Sequence, residues 1–365
     1  MRVRHRPVSF LAFELANLIL DSRSAIDYEG LLLVQSHYVD LTAFGARAQI
    51  GKGGAEMPWE DRYWTSRDGL RLHYRDYSGS DRRPPLLCLP GLSRNCRDFE
   101  DLAERLSPAW RVIAPSLRGR GRSEHAADSD SYVPQTYVDD LLCLLSDLDL
   151  GSVVVVGTSL GARLAMLMAA QQPRIFVGAI LNDLGPELPV VAQAGIGSRL
   201  GNQPRHWPGL FQAIEALSAL HAEAHPHFDA NDWTRLVSRV CREEADGSLS
   251  LDYDPKILST YANAAPPTPE EMWQGFEALC AVPVLSIRGS LSTLLTPGIQ
   301  AMMVHRAPRA ILTATIPGVG HAPTLDEPEA VFAINALLDR IVAEAANGSA
   351  EKGGLDENHR IRASA

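Results

Sequence analysis

The chain of 365 residues lacks any uninterrupted apolar run of the ~18–20 residues that a membrane-crossing helix requires. The nearest approach is Val8 to Leu20 behind the basic Met1-Arg2-Val3-Arg4-His5-Arg6, which imitates the first two regions of a signal peptide. Glu14 and Asn17 interrupt it, and Asp21-Ser22-Arg23-Ser24 stands where a small-residue cleavage site belongs, so neither export nor a membrane partner is expected. A basic surplus is also missing. The 34 lysines and arginines stand against 44 aspartates and glutamates, a formal charge of −10. That sign is wrong for a surface that gathers phosphates, and no nucleic-acid partner is expected. The five cysteines, Cys88, Cys96, Cys143, Cys241 and Cys280, include no Cys-x-x-Cys pair, which argues against zinc or a redox dithiol and fits a reducing cytoplasm.

What is present is an alternation of strands and helices. Leu70 to Tyr77, Pro85 to Leu89, Trp110 to Ala114 and, most emphatically, Ser152 to Val156 read as strands. Tyr137, Leu141, Leu144, Leu145 and Leu148 recur at helical spacing between the last two of these. The alternation returns with Phe176 to Leu181, Val284 to Ile287 and Ala310 to Ile316, and a final helix is expected near Pro328 to Ala345. Strand–helix–strand crossovers predict a mostly parallel α/β sheet flanked by helices. The core is expected over 57–185 and 279–345, interrupted by a helical lid over 186–278. In that lid Trp207, Leu210, Phe211, Ile214, Leu217 and Leu220 fit one apolar face. Residues 346–365, polar and Gly-rich, are expected to be a disordered tail. Residues 1–56 stand apart and end in Gly51-Lys52-Gly53-Gly54-Ala55-Glu56 before Met57, which suits a helical arm on a linker or a start codon placed too far upstream.

The chemistry is concentrated where Val153-Val154-Val155-Val156 meets Gly157-Thr158-Ser159-Leu160-Gly161 and then helix formers. A serine on a sharp strand-to-helix turn takes strained backbone angles, so the residues two before and two after it must lack bulk. Gly157 and Gly161 supply that room, and Ser159 is the candidate nucleophile. Leu160 N–H, at the start of the helix, is one candidate oxyanion donor. Leu92 N–H, in Leu89-Pro90-Gly91-Leu92-Ser93-Arg94-Asn95, is the other. The candidate base is His321, in Pro317-Gly318-Val319-Gly320-His321-Ala322-Pro323 after the last strand.

Pro90 to Asn95, Arg118-Gly119-Arg120-Gly121-Arg122-Ser123, Gly157 to Gly161 and Gly320-His321 occur in an order that resembles the α/β-hydrolase superfamily over about Trp59 to Ala345. Asn182-Asp183-Leu184-Gly185-Pro186 and His321 to Pro328 place the resemblance among bacterial lid-bearing serine hydrolases of the esterase, lactonase and carbon–carbon hydrolase kind. The resemblance implies cleavage of a small-molecule ester or lactone through an acyl-enzyme, with no metal and no organic cofactor. Oligomeric state is left open.

One part of the pattern is missing. Relatives carry an aspartate after the seventh strand, whereas this loop reads Arg288-Gly289-Ser290-Leu291-Ser292-Thr293, with Thr293 at the acid's place and no Asp or Glu between Glu277 and Asp326. Threonine can accept a hydrogen bond but cannot supply the charge that stabilises an imidazolium. Asp183, just past the sixth strand, is the available substitute; a loop-closing role is its other reading. Ser116 also stands where relatives often show aspartate, a change expected to affect local hydrogen bonding only. Two alternatives to an esterase follow: a carbon–carbon bond hydrolase using the same residues, and a turnover-poor binding protein that has lost its acid. His221, His225 and His227 have metal-like spacing without a matching ligand set, and Arg94, Arg118, Arg120 and Arg122 read either as solvated loop residues or as attractors of a carboxylate.

Overall fold

A run of four valines with no polar interruption is stable as a strand only if both its faces are covered. In the structure, a computed structural model that describes residues 58–189, 204–263 and 267–363, Val153 to Val156 are all fully buried at the centre of an eight-stranded sheet. The N-terminal segment 1–56, with its signal-like stretch, lies outside the described residues.

The strands in chain order are β1 (Glu60–Thr65), β2 (Arg71–Tyr77), β3 (Leu86–Leu89), β4 (Val112–Ser116), β5 (Val153–Thr158), β6 (Phe176–Asn182), β7 (His206–Trp207), β8 (Cys241–Glu243), β9 (Leu249–Leu251), β10 (Val284–Gly289) and β11 (Leu312–Ile316). The large sheet runs β1-β2-β4-β3-β5-β6-β10-β11. Its first two pairings, β1 with β2 and β2 with β4, are antiparallel and the rest parallel. Helices α1 (Glu100–Leu106), α2 (Pro134–Asp147) and α3 (Leu160–Gln171) follow β3, β4 and β5 in turn. Then come α4 (Leu210–His221), α5 (Ala230–Val240), α6 (Lys256–Asn263), α7 (Pro269–Leu279), α8 (Pro297–Arg306) and α9 (Pro328–Ala363). Tyr137, Leu141, Leu144 and Leu145 of α2 are buried, the face that their spacing predicts.

Several features differ from the expectation. β1 has no sequence signal because it is an outer strand whose first three residues are exposed, so nothing forces an apolar alternation on Glu60-Asp61-Arg62. The described residues of the segment expected to be a helical lid are not all helical: β7, β9 and β8 form a three-stranded antiparallel sheet, and strands of two or three residues are too short to show a period. The apolar face proposed for α4 is only partly used, since Ala213 and Leu217 are buried while Phe211 and Leu220 are exposed and Trp207 belongs to β7.

The lid also ends earlier than residue 278. Helix α7 packs on α3 so closely that a Cβ at Gly275 would lie 2.5 Å from the Met166 carbonyl oxygen, which makes α7 a core helix and not part of the lid. At the C-terminus, α9 continues to Ala363 through the segment expected to be disordered. Ala330, Ile334, Leu337, Leu338 and Ile341 anchor its first half in the core, and a helix once nucleated propagates at little cost.

Two buried arginines brace the loop after β4. Arg118 is 1% exposed and forks onto Asp140 of α2 through Nε and Nη2, both at 2.7 Å, while Nη1 reaches Asp68 at 2.8 Å. The Arg118 hydrogen bonds hold the Asp68 carboxyl down at about 2. Replacing Arg118 with methionine would leave Asp140 buried without its counter-charge, and a loss of about 3–5 kcal/mol is expected. Urea denaturation of wild type and Arg118→Met measures it.

Candidate active site

Strand β5 is followed by a residue held against its preference. Ser159 has φ +54° and ψ −112°, a left-handed conformation that non-glycine residues avoid. The surrounding backbone over-determines it. Ser159 N donates to the Asn182 carbonyl at 3.0 Å, and the Ser159 carbonyl accepts from Ala162 N and Arg163 N at 3.0 and 3.2 Å as α3 begins. The flanking glycines have no space for a side chain: a Cβ on Gly161 would sit 2.0 Å from the Leu89 carbonyl oxygen, and one on Gly157 would sit 2.5 Å from the Gly161 carbonyl carbon. Leu160 is the first residue of α3, where backbone N–H groups have no partner within the helix and the dipole favours negative charge.

The loop after β3 lies beside this turn. A Cβ on Gly91 would be 3.8 Å from Ser159 Cβ, which places the next peptide, that of Leu92, next to the serine. Arg120, fully buried, holds the following peptide: its Nε donates to the Leu92 carbonyl at 3.0 Å and its Nη1 to the Arg118 carbonyl at 2.7 Å.

His321 stands in the loop after β11 with both ring nitrogens engaged. Nε2 is 2.8 Å from Ser159 Oγ, and Nδ1 is 2.8 Å from Asp183 Oδ2. Asp183 is fully buried with φ +58°, its Oδ1 accepts from Gly289 N at 2.9 Å, and its own N–H donates to the Ile287 carbonyl at 2.9 Å. Each carboxylate oxygen thus has its own nitrogen partner, which locks the group in position. Thr293 is exposed, and the imidazole is already bonded elsewhere through both nitrogens. Ser116 is buried and takes part in local hydrogen bonding only, accepting from Cys96 N at 3.3 Å.

Asn182 matters more here than its sequence context suggests. Its Nδ2 donates to Thr158 Oγ1 at 3.1 Å and to the Pro323 carbonyl at 2.9 Å, tying the serine's strand to the histidine's loop, while its carbonyl holds Ser159 N. Nothing in a lone Asn-Asp dipeptide reveals two such partners. The lid adds a support of the same kind, since Gly320 N donates to the Ala224 carbonyl at 2.6 Å.

Other candidates are placed differently. Among the described residues no group of three or more histidine, cysteine, aspartate or glutamate side chains could hold a metal, so the spacing of His221, His225 and His227 does not translate into a ligand set. Arg118 and Arg120 are structural, Arg122 pairs with Asp61, and Arg94 is bound to Asp98 at 2.6 Å. Among the described residues no helix is long and apolar enough to cross a membrane.

An open, mostly parallel sheet whose central strand ends in a strained serine, with a histidine and a buried carboxylate delivered by later strands, defines a class of hydrolases. The chain belongs to the alpha/beta hydrolase family, whose model matches residues 86–334. It is 32% identical over 265 residues to the 3-hydroxybutyrate-oligomer hydrolase of Cupriavidus necator, covering 71% of this chain and 89% of that one. It is 28% identical to an esterase of Mycobacterium tuberculosis, over 70% of this chain and 83% of the relative. The crystal structure of an alpha/beta hydrolase from Novosphingobium aromaticivorans superposes with a TM-score of 0.74 at 43% identity, covering 78% of this chain and 100% of that chain. These similarities make the protein a hydrolase.

Because the Gly161 position faces backbone, Gly161→Ala cannot be absorbed by a rotamer change, and a loss of about 3 kcal/mol is expected. A thermal melt of Gly161→Ala beside wild type checks it, with an unchanged midpoint contradicting the packing described.

Proposed function

We propose that the protein is a serine hydrolase that cleaves a small-molecule carboxylic ester or lactone through an acyl-enzyme on Ser159, with His321 as base and Asp183 as the acid of the triad. The observation that carries this reading is the unbroken line of hydrogen bonds Ser159 Oγ to His321 Nε2 and His321 Nδ1 to Asp183 Oδ2, each 2.8 Å. His321 takes the hydroxyl proton as Oγ attacks the carbonyl carbon, and the developing oxyanion is received by the Leu160 and Leu92 N–H groups. The imidazolium, stabilised by the Asp183 carboxylate, then gives its proton to the departing alkoxide. Water, deprotonated by the same nitrogen, releases the acid and restores Ser159.

The reading is supported by the relatives named above, one of them called an esterase and one a hydrolase of hydroxybutyrate oligomers. The binding-protein alternative draws on the absence of an acid at Thr293; the 2.8 Å between Asp183 Oδ2 and His321 Nδ1 supports the enzyme reading over it.

A fluorophosphonate probe requires an activated serine and no knowledge of substrate. Labelling is expected at Ser159 and nowhere else, located by peptide mass spectrometry, and Ser159→Ala should abolish it. Asp183→Asn should slow labelling by about 10⁴-fold by analogy with other triads, whereas Thr293→Ala should stay within about twofold, as surface substitutions do. Labelling that persists in Ser159→Ala, or at full rate in Asp183→Asn, would overturn the assignment.

A further inference from the structure

Arg118 and Arg122, on either side of Arg120, are paired with carboxylates, the first with Asp140 and Asp68 and the second with Asp61. Arg120 is fully buried, and among the described residues no carboxylate pairs with it. Its Nε and Nη1 donate to the Leu92 and Arg118 carbonyls, and its guanidinium lies over Tyr137, with Cζ 4.6 Å from the ring centroid. Its Nη2 is buried without a partner. A cation enclosed without a counter-charge is costly to bury, so stability alone does not account for an arginine at this position.

What Arg120 holds is the residue whose N–H is the second candidate oxyanion donor. Gly91 to Arg94 form a turn in which Arg94 N donates to the Gly91 carbonyl at 3.2 Å. In a trans peptide the N–H points away from the C=O, so drawing the Gly91 carbonyl into the turn directs the Leu92 N–H outward from it. The turn lies against the nucleophile, since a Cβ on Gly91 would be 3.8 Å from Ser159 Cβ. The Arg94 bond fixes the peptide before Leu92, and the Arg120 Nε bond fixes the peptide after it. With both held, rotation of the Leu92 backbone is blocked. The backbone around Arg120 is itself anchored: Arg120 N donates to the Leu117 carbonyl at 3.1 Å, Gly121 N to the Asp252 carbonyl at 3.0 Å, and Asp254 N to the Gly119 carbonyl at 2.8 Å. The side chain thus reaches Leu92 from a fixed base.

We propose that Arg120 is a positioning residue for the reaction of Ser159: the hydrogen bond from its Nε to the Leu92 carbonyl aligns the Leu92 N–H with the oxyanion. The inference rests on the serine-hydrolase reading and adds a residue to its machinery. Oxyanion donors act through being preorganised toward the charge that develops in the transition state, so a Leu92 backbone free to rotate loses rate at the chemical step.

The test compares phosphorylation of Ser159 by diethyl 4-nitrophenyl phosphate and by its phosphorothionate analogue, both read as release of 4-nitrophenolate. Sulfur in place of the phosphoryl oxygen accepts hydrogen bonds weakly, so the oxo-to-thio rate ratio reports on the donors and cancels general effects on the serine. In Arg120→Met a methyl carbon replaces Nε at the same distance along the side chain. The oxo rate should fall by about 10- to 100-fold, less than the ~10²–10³-fold cost of deleting a donor outright, and the ratio should fall with it. In Arg120→Gln an amide N–H stands at the Nε position, and most of both losses should be recovered. If Arg120→Met does not fold, Arg120→Lys replaces it, since it keeps the charge but has carbon at the Nε position; its ratio should fall too. An unchanged ratio in the folded variant, or a loss in Arg120→Gln as large as in Arg120→Met or Arg120→Lys, would overturn the inference and leave the serine-hydrolase reading in place. Failure of the wild type to be phosphorylated at Ser159 would overturn that reading, and this inference with it.

Discussion

The left-handed backbone at Ser159 is the constraint on which the rest of the site depends. Such a conformation costs on the order of 1–3 kcal/mol in a non-glycine residue and survives only where the surroundings leave no alternative. Here the four valines of the strand before it are fully buried, the helix after it starts at once, and the N–H is tied to the neighbouring strand through Asn182. The glycines on either side are required by backbone atoms 2.0 to 2.5 Å from where their side chains would begin. The strain is therefore carried by the whole β5–α3 junction, and it points the hydroxyl at His321 Nε2.

The same junction accounts for a carboxylate that reaches the imidazole from β6. Strands β6 and β10 are parallel neighbours with Asn182 opposite Ile287, so the residues that follow each of them emerge side by side at the same edge of the sheet. A carboxylate on either could reach an imidazole placed between them. In this chain β6 supplies the carboxylate as Asp183 and β10 supplies an N–H, that of Gly289, to hold it. The exchange leaves the imidazole with a carboxyl partner at Nδ1, and Thr293 faces solvent.

How much of this the sequence discloses follows the range of the interactions. Short-range patterns are legible: the valines of β5, the helical spacing of Tyr137 to Leu145, and the pair of glycines around Ser159 all carry their meaning within a few residues. Patterns that need a distant partner are not. β1 exists because β2 is there to receive it, and α7 joins the core because Gly275 admits the backbone of α3. Arg118 and Arg120 look like solvent-facing loop arginines until Asp68, Asp140 and the Leu92 carbonyl are brought around them. Asp183 lies between these cases: its residue type and place after β6 mark it as a candidate, but only the distance to His321 separates a carboxylate that orients the imidazole from one that closes a loop.

The lid bears on the chemistry through the loop of His321 itself. A Cβ at Gly318 would lie 2.4 Å from His227 Nε2, and one at Gly320 would lie 2.7 Å from Ala224 Cα, so these glycines mark where the lid presses on that loop. The Gly320 to Ala224 hydrogen bond holds one side of His321, and the Asn182 bond to the Pro323 carbonyl holds the other. The imidazole is thus clamped between a support from the rigid sheet and a support from the lid. Two further bonds tie the same loop to the segment after β10, from Gly318 N to Ser290 Oγ at 2.8 Å and from Leu291 N to the Val319 carbonyl at 2.9 Å, so the imidazole is held by contacts from several elements at once.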